Sequence, residues 1–146
     1  TCLRFFTVYG PRQRPEMAIH KFMKIMDDGG TIPMYGDGSS GRDYTYIDDI
    51  ASGVLAAINS QDGFRIYNLG GDRVVRLHQL IDAIGDVVGV EPRVEELPEQ
   101  PGDVPITNAD ISRARNELGY EPQTPLRKGL AIMWQWYQET RDEFCA

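Results

Sequence analysis

The stretch that decides the fold is TCLRFFTVYGP, residues 1–11 of the chain. Its first nine residues are rich in β-branched and aromatic side chains, a composition typical of a strand buried inside a sheet. Gly10-Pro11 then breaks the backbone. Because an interior strand needs neighbours on both sides, we expect the chain to begin within the sheet of a larger unit. An apolar edge at Phe5, Phe6 and Val8 would then favour self-association.

Length and composition bound the rest of the molecule. With 146 residues, 41% of them hydrophobic, the chain suffices for one domain with its own core. The formal net charge of −7 argues against a nucleic-acid partner, so any bound phosphate must be met by a few local arginines. No apolar run approaches the ~20 residues of a membrane span. Cys2 and Cys145 have no paired spacing, which disfavours a zinc site or a disulfide framework and fits a reducing, cytoplasmic location.

Apolar periodicity beyond the first strand predicts short elements and no internal repeat. Helices are expected from Pro15 to the Gly29-Gly30 stop, from Asp48-Asp49 through Ile58, over 77–88, over 111–118 behind an Asp110 cap, and from Leu126 to Tyr137. Extended segments are expected over 32–35, 42–46, 65–69 and 92–97, and a loop over 98–103. Few strands and several helices indicate a small mixed α/β unit.

Motifs that carry chemistry by themselves do not occur in the sequence. It contains no glycine-rich dinucleotide loop, GxSxG, HExxH or P-loop. His20 and His78 lie on predicted helices without a matching acid or cysteine, so we interpret both as structural, at the surface or half buried. Asp48 and Asp49 are explained more simply by helix capping than by an acid/base pair.

Two short segments are candidates for ligand binding. Thr7, Tyr9, Arg12 and Arg14 follow one another across the junction from strand to loop, the place where open α/β sheets bind ligands. Guanidinium groups beside a hydroxyl suit a phosphate or a carboxylate, because each offers a planar fork of donors. Arg42 follows a glycine-rich loop and could meet an anion in the same way. Ordinary solvated arginines remain the alternative for both segments.

Several segments, in order, resemble one known family. LRFFTVYGP (3–11) and RPEMA (14–18) resemble the mid-chain signature of UDP-glucuronate 4-epimerases. Other segments are similar to ones shared widely among extended short-chain dehydrogenases: GRDYTYIDDI (41–50), YNLGG (67–71), GDVP (102–105) with Ala109-Asp110, and LGYEP (118–122). Together they cover nearly the whole chain.

This resemblance implies a fold, a division into parts and an activity. The fold is the small mixed α/β substrate-binding domain of an extended short-chain dehydrogenase, with a leading strand from the Rossmann sheet. Residues 1–10 would be the terminal strand of a truncated NAD-binding domain and 11–146 the nucleotide-sugar domain. The parent would be an NAD-dependent UDP-sugar 4-epimerase of polysaccharide biosynthesis, acting on UDP-glucuronate and UDP-galacturonate. Its partners would be the UDP-sugar and the missing NAD-binding domain, with no NAD bound by this part alone.

The resemblance also assigns residues around the sugar and the cofactor. The backbone of Phe5 and Phe6 would lie near the nicotinamide end of NAD. Thr7 would face the sugar and, with Arg14, hold the glucuronate carboxylate. No catalytic residue is expected in this chain, because the family's Tyr-x-x-x-Lys pair does not occur: neither Tyr44 nor Tyr46 is followed four residues later by lysine.

The nucleotide would be bound by later residues. Backbone groups of Pro33 and Tyr35 would meet the uracil, with the Tyr35 ring packing on the base. Arg42 would bind the diphosphate and Asp103 the ribose hydroxyls. Several relatives carry a second diphosphate arginine where this chain has Gln100, so either another residue supplies that charge or the diphosphate is bound more weakly. Two alternatives remain open: a related UDP-sugar dehydratase or decarboxylase, and a stand-alone module that binds nucleotide sugars or a protein without catalysis.

Overall fold

A computed structural model describes residues 1–60 and 63–141. Its described elements are, in chain order, β1 (Cys2–Phe5), β2 (Thr7–Tyr9), α1 (Ala18–Asp27), β3 (Ile32–Tyr35), β4 (Gly41–Tyr46), α2 (Ile47–Ile58), β5 (Ile66–Leu69), β6 (Val74–Arg76), α3 (Leu77–Val88), β7 (Val94–Leu97), α4 (Ser112–Leu118) and α5 (Leu126–Thr140). The predicted mixed α/β class is confirmed. Cys145 lies outside the described residues.

The strands form three small sheets. β1 pairs in parallel with β5, and β3 pairs in parallel with β7. β4 lies at the centre of the third sheet, parallel to β2 on one side and antiparallel to β6 on the other. β4 also forms a bridge to Ile106 through Gly41, so the segment around Ile106 is attached to the same strand.

The single buried strand expected over residues 1–9 is wrong in two respects. The chain forms two strands separated at Phe6, and each pairs in a different sheet. The Phe6 amide still donates to the Leu69 carbonyl oxygen at 3.0 Å, but Thr7 pairs with Tyr44 on β4. Among the described strands β1 pairs only with β5, and Phe5 is 52% exposed. Phe6 and Val8 instead pack against a buried cluster, so the expected apolar edge reduces to Phe5.

The larger hydrophobic core lies among three helices and the sheets beneath them. α3 packs against both α1 and α5. The apolar periodicity of these helices is confirmed, since their inward positions are almost inaccessible to solvent: Ile19, Met23, Leu80, Ile84, Leu130 and Met133. A second cluster joins β5 to α2 and α4 through Ile50, Leu69, Ala114 and Tyr120.

Three other sequence expectations need correction. The short strand β6 was not predicted, so the sheets hold more strands than expected. The first helix begins at Ala18 and not at Pro15, because residues 14–17 form a turn in which the Met17 amide donates to the Arg14 carbonyl oxygen. α4 begins at Ser112, whose amide donates to the Asp110 carboxylate.

His20 is more deeply buried than the sequence indicated, at 2% exposure. Its Nδ1 lies 2.7 Å from the Gln13 carbonyl oxygen, and its ring makes edge contacts with Trp136 and Tyr137. The expected structural role is thus supported: His20 anchors the loop after β2 to the core. Across the described ranges, no helix combines the length and the apolar character needed to cross a bilayer.

Candidate functional site

The first candidate cavity opens where β1 and β2 give way to the loop before α1. It has a volume of about 740 Å³. Its walls include the residues expected to meet the sugar and the cofactor, Phe5, Phe6, Thr7 and Arg14, together with Arg42. The structure therefore brings Thr7, Arg12 and Arg14 of the first candidate segment to one cavity with Arg42, whereas Tyr9 is buried and donates to the Leu126 carbonyl oxygen.

The wall of this cavity is strongly basic although the chain is acidic. Four guanidinium groups line it, from Arg4, Arg12, Arg14 and Arg42, and no carboxylate is among its lining residues. The whole chain carries a formal charge of −7. A local excess of cations on an acidic protein attracts an anionic ligand to this cavity and not to the surface at large.

A second cavity, of about 430 Å³, adjoins the first because Arg42 lines both. It contains the residues expected to meet the nucleotide, Pro33, Tyr35 and Asp103, and also Gln100. The eight residues to which the resemblance assigns a binding role thus line two cavities that share one arginine.

Arg42 is held in place by its neighbours. Its Nη1 donates to the Gly41 carbonyl oxygen at 2.9 Å, and its Nη2 pairs with the Asp103 carboxylate. The Arg42 side chain is 22% exposed, whereas that of Asp103 is 56% exposed. An ion pair this accessible to water adds little stability. Its main effect is to orient the guanidinium.

Arg14 is less restrained than Arg42. Its Nη1 lies 3.2 Å from the Glu16 carboxylate, and its side chain is 75% exposed. A pair of this kind is readily exchanged for a better-placed anion. The backbone of Thr7 is fixed by the parallel pairing of β2 with β4, in which Thr7 lies opposite Tyr44. Thr7 and Arg14 therefore both line the first cavity.

The loop between Thr7 and Arg14 has an unusual backbone. Arg12 adopts a φ of 65°, in the left-handed region that non-glycine residues rarely occupy. Gln13 donates from Nε2 to the Val8 carbonyl oxygen at 3.0 Å, and its main-chain carbonyl bonds to His20. These anchors hold the strained turn against the cavity.

The tyrosines near the site are not poised as bases. Burial raises the pKa of Tyr9, of Tyr44 and of Tyr46 above the usual range. Each hydroxyl is therefore neutral at physiological pH. Within the described residues, no group of three metal-binding side chains occurs either.

Asp43 is a residue that sequence reasoning missed. Its carboxylate is fully buried and accepts hydrogen bonds from the amides of Gly71, Asp72 and Ala109 and from the Thr45 hydroxyl. Strand alternation could have indicated that Asp43, between Arg42 and Tyr44, points inward. The amides that donate to Asp43 lie in distant parts of the chain, so the sequence could not indicate them. Asp49 was also misjudged: it does not cap α2, and it accepts hydrogen bonds from the amides of Gln123 and Thr124.

The sequence is similar to known proteins. Residues 1–70 match the model of the NAD dependent epimerase/dehydratase family. A UDP-glucuronate 4-epimerase of Thermodesulfobacterium geofontis is 39% identical over 94% of this chain and 42% of its own length.

Solved structures give the same result. A UDP-glucuronic acid 4-epimerase from Bacillus cereus, in complex with UDP-glucuronic acid and NAD, superposes with a TM-score of 0.88 at 36% identity, over 94% of this chain and 44% of that one. A dTDP-glucose 4,6-dehydratase from Streptomyces venezuelae, with NAD bound, superposes with a TM-score of 0.90 at 32% identity, over 97% and 44%.

Residues 1–70 thus match the NAD-dependent epimerase/dehydratase family, and nearly the whole chain is similar to part of a UDP-glucuronate 4-epimerase. The chain spans less than half the length of the relatives quoted above. Its α/β fold is that of the corresponding part of extended short-chain dehydrogenases, as the resemblance implied.

Proposed function

We propose that this chain is the nucleotide-sugar-binding part of an NAD-dependent UDP-sugar 4-epimerase that acts on UDP-glucuronate and UDP-galacturonate. The observation that carries the proposal is the pair of cavities joined at Arg42, one basic and one lined by Pro33, Tyr35 and Asp103. Their combined size and polarity suit a ligand with an acidic sugar, a diphosphate and a nucleoside.

The basic cavity would hold the sugar. Arg14 and the Thr7 hydroxyl would bind the uronate carboxylate, because both line the cavity and Arg14 has only an exposed counter-ion. Arg42, at the junction of the two cavities, would meet the diphosphate. A guanidinium at that point would contact the middle of the ligand, between the sugar and the nucleoside.

The second cavity would hold the nucleoside. Backbone groups of Pro33 and Tyr35 would meet the uracil edge, with the Tyr35 ring against the base. The Asp103 carboxylate would accept hydrogen bonds from the ribose hydroxyls and at the same time orient Arg42. Gln100 lines this cavity where several relatives place an arginine, so we expect a weaker grip on the diphosphate than in those relatives.

NAD, when bound to the whole enzyme, supplies reversible removal of hydride from the sugar's C4. The residues present here fit only one wall of such a site: Phe5 and Phe6 line the basic cavity, where their backbone would face the nicotinamide end. The role of this chain is to bind the sugar nucleotide and to hold the carboxylate in place. The partner that completes the site would be an NAD-binding domain.

Calorimetric titration of the purified chain with UDP-glucuronate, UDP-glucose and UDP tests the proposal. We expect binding of all three, with UDP-glucuronate the tightest, and at least a tenfold loss on Arg42→Ala, about 1.4 kcal/mol or more. Arg127→Ala is the matched control, because this exposed arginine pairs with Asp86 on the far helices. No binding of any of the three would contradict the proposal.

A related dehydratase is the second candidate, favoured by the superposition on the dTDP-glucose 4,6-dehydratase. It predicts no preference for the acidic sugar over UDP-glucose in the same titration. The reading frame upstream of Thr1 separates both enzymes from a non-catalytic binding module: a glycine-rich dinucleotide loop and a Tyr-x-x-x-Lys pair within about 170 residues indicate an enzyme.

A further inference from the structure

Asp43 stands out among the described side chains as a buried charge held by neutral donors. It is 0% exposed. Its Oδ1 accepts from the Gly71 amide at 2.6 Å and the Thr45 hydroxyl at 3.1 Å. Its Oδ2 accepts from the Asp72 amide at 3.1 Å and the Ala109 amide at 3.0 Å. Burial of a carboxylate is costly unless its hydrogen bonds are complete, so four well-placed donors are what this position requires.

The four donors belong to three separate parts of the chain. Thr45 lies on β4 itself, Gly71 and Asp72 form the turn after β5, and Ala109 follows the loop that lines the second cavity. The approach is close: a Cβ on Gly70 would lie 2.3 Å from the Ala109 Cβ and 2.8 Å from Asp43 Oδ2. The carboxylate therefore joins the turn and the loop at one point.

The segment from Pro105 to Ala109 is attached to β4 at two alternate strand residues, Gly41 and Asp43. The Gly41 amide donates to the Pro105 carbonyl oxygen at 2.8 Å, and the Thr107 amide donates to the Gly41 carbonyl oxygen at 3.0 Å. Asp43 adds the next attachment through Ala109. Between these two positions, Arg42 directs its side chain into the cavities and pairs with Asp103.

We propose that Asp43 is a positioning residue of the nucleotide-sugar site, an inference that rests on the proposed function. By fixing segment 105–109 in register with β4, its carboxylate places Asp103 opposite Arg42. Asparagine has the same shape but would present an NH2 group to at least one of the amides, two donors facing each other. The segment should then shift, and Arg42 should lose its orienting partner.

The experiment compares Asp43→Asn and Thr45→Val with wild type and with Ile84→Val, a core truncation in the other hydrophobic cluster. Titration with UDP-glucuronate measures affinity, and amide hydrogen exchange followed by NMR reports on the Ala109 and Gly71 amides. We expect affinity to fall about tenfold in Asp43→Asn and about two- to threefold in Thr45→Val. Ala109 should exchange faster in both. The Ile32 amide, bonded to Arg93 in a different sheet, should exchange as in wild type.

A double-mutant cycle separates positioning from general structural support. In an Asp103→Ala background, Asp43→Asn should change affinity by less than about twofold, because the partner through which it acts is gone. A full tenfold loss in that background, or unchanged affinity and Ala109 exchange in the single variants, would overturn the proposal. If Asp43→Asn does not fold, Thr45→Val decides by the same measurements.

Failure of the proposed function gives a different result. Wild-type chain that does not bind UDP-glucuronate contradicts that function, and the Ala109 exchange rates then decide whether Asp43 fixes the segment. Wild-type chain that binds, with Asp43→Asn binding equally well, contradicts only the role of Asp43.

Discussion

Asp49, in the first turn of α2, accepts a hydrogen bond from the main-chain amide of Thr124 at 3.0 Å. Its second oxygen accepts from the neighbouring Gln123 amide at 3.1 Å. Asp49 and Thr124 are separated by 75 positions in the chain. The Asp49 carboxylate therefore attaches the segment just before α5 to α2. The inner face of α5 completes the larger core.

Replacement of Asp49 by alanine should destabilise the fold. Both amides would lose their acceptor, and we expect the free energy of unfolding to fall by about 1–2 kcal/mol. Asp48→Ala is the matched control, because Asp48 occupies the same helical turn but is exposed, and its loss should cost no more than about 0.5 kcal/mol. Urea denaturation measures both. Equal effects would show that only the charge near the helix terminus matters.

Arg14→Ala should alter sugar preference more than nucleotide affinity. Under the proposed function, the guanidinium contacts only the uronate carboxylate, so UDP-glucuronate should bind about tenfold less tightly while UDP-glucose is unaffected. Thr7→Val should act in the same direction. Competition titrations with the two sugars provide the measurement, and an equal loss for both sugars would exclude a carboxylate role for Arg14.

Burial of Tyr9 should make the free energy of unfolding fall at alkaline pH. Its hydroxyl donates to the Leu126 carbonyl oxygen at 3.2 Å, and burial is the main cause that raises its pKa. The stabilisation is complete below the unfolded-state pKa of about 10. It should be lost as the pH rises towards the raised folded-state value, because the unfolded chain then binds fewer protons.

The pH effect is measured as a difference between wild type and Tyr9→Phe. Above pH 10 the wild type should lose up to about 1.4 kcal/mol per pH unit more than the variant. At neutral pH the variant should be about 1 kcal/mol less stable, since the Leu126 carbonyl loses its donor. Parallel pH profiles would contradict this role of burial.

Gly129 in α5 is required by a close approach and not by a turn. A Cβ there would lie 2.3 Å from the Tyr9 hydroxyl oxygen and 2.9 Å from the Tyr46 ring. Gly129→Ala should therefore destabilise by about 1–3 kcal/mol, although alanine is the better helix former by about 1 kcal/mol. In a Tyr9→Phe background the cost should shrink, because the nearest contact atom is absent. Thermal unfolding of the four proteins tests this.

The one-sided pairing of β1 should promote self-association of the isolated chain. Phe5 is 52% exposed beside an unpaired strand edge, so we expect concentration-dependent oligomers that Phe5→Lys reduces. Ile132→Lys is the control, at 40% exposure on α5. Analytical ultracentrifugation should show fewer oligomers for Phe5→Lys than for Ile132→Lys. A wild-type chain that stays monomeric at high concentration would contradict the prediction.

Local sequence was sufficient where the pattern that predicts an element lies within the element itself. α3 spans the predicted Leu77–Val88, because its apolar residues recur at helical spacing and Gly89 ends it with a φ of 84°. The strands β3 and β5 were likewise predicted to within a residue. Thr7, Arg14, Arg42 and Asp103 lie within the short contiguous motifs that carry the family resemblance, so these candidate residues could be named from the sequence.

Tertiary structure decided what depends on distant partners. The split at Phe6 follows from β5 and β4 each binding one half of the opening segment, and β6 exists because β4 offers it a free edge. Arg42 meets Asp103 across 61 positions, and the Asp43 carboxylate draws its donors from as many as 66 positions away. Periodicity records only a side chain's preference for core or solvent, whereas hydrogen-bond partners are fixed when separate elements pack together.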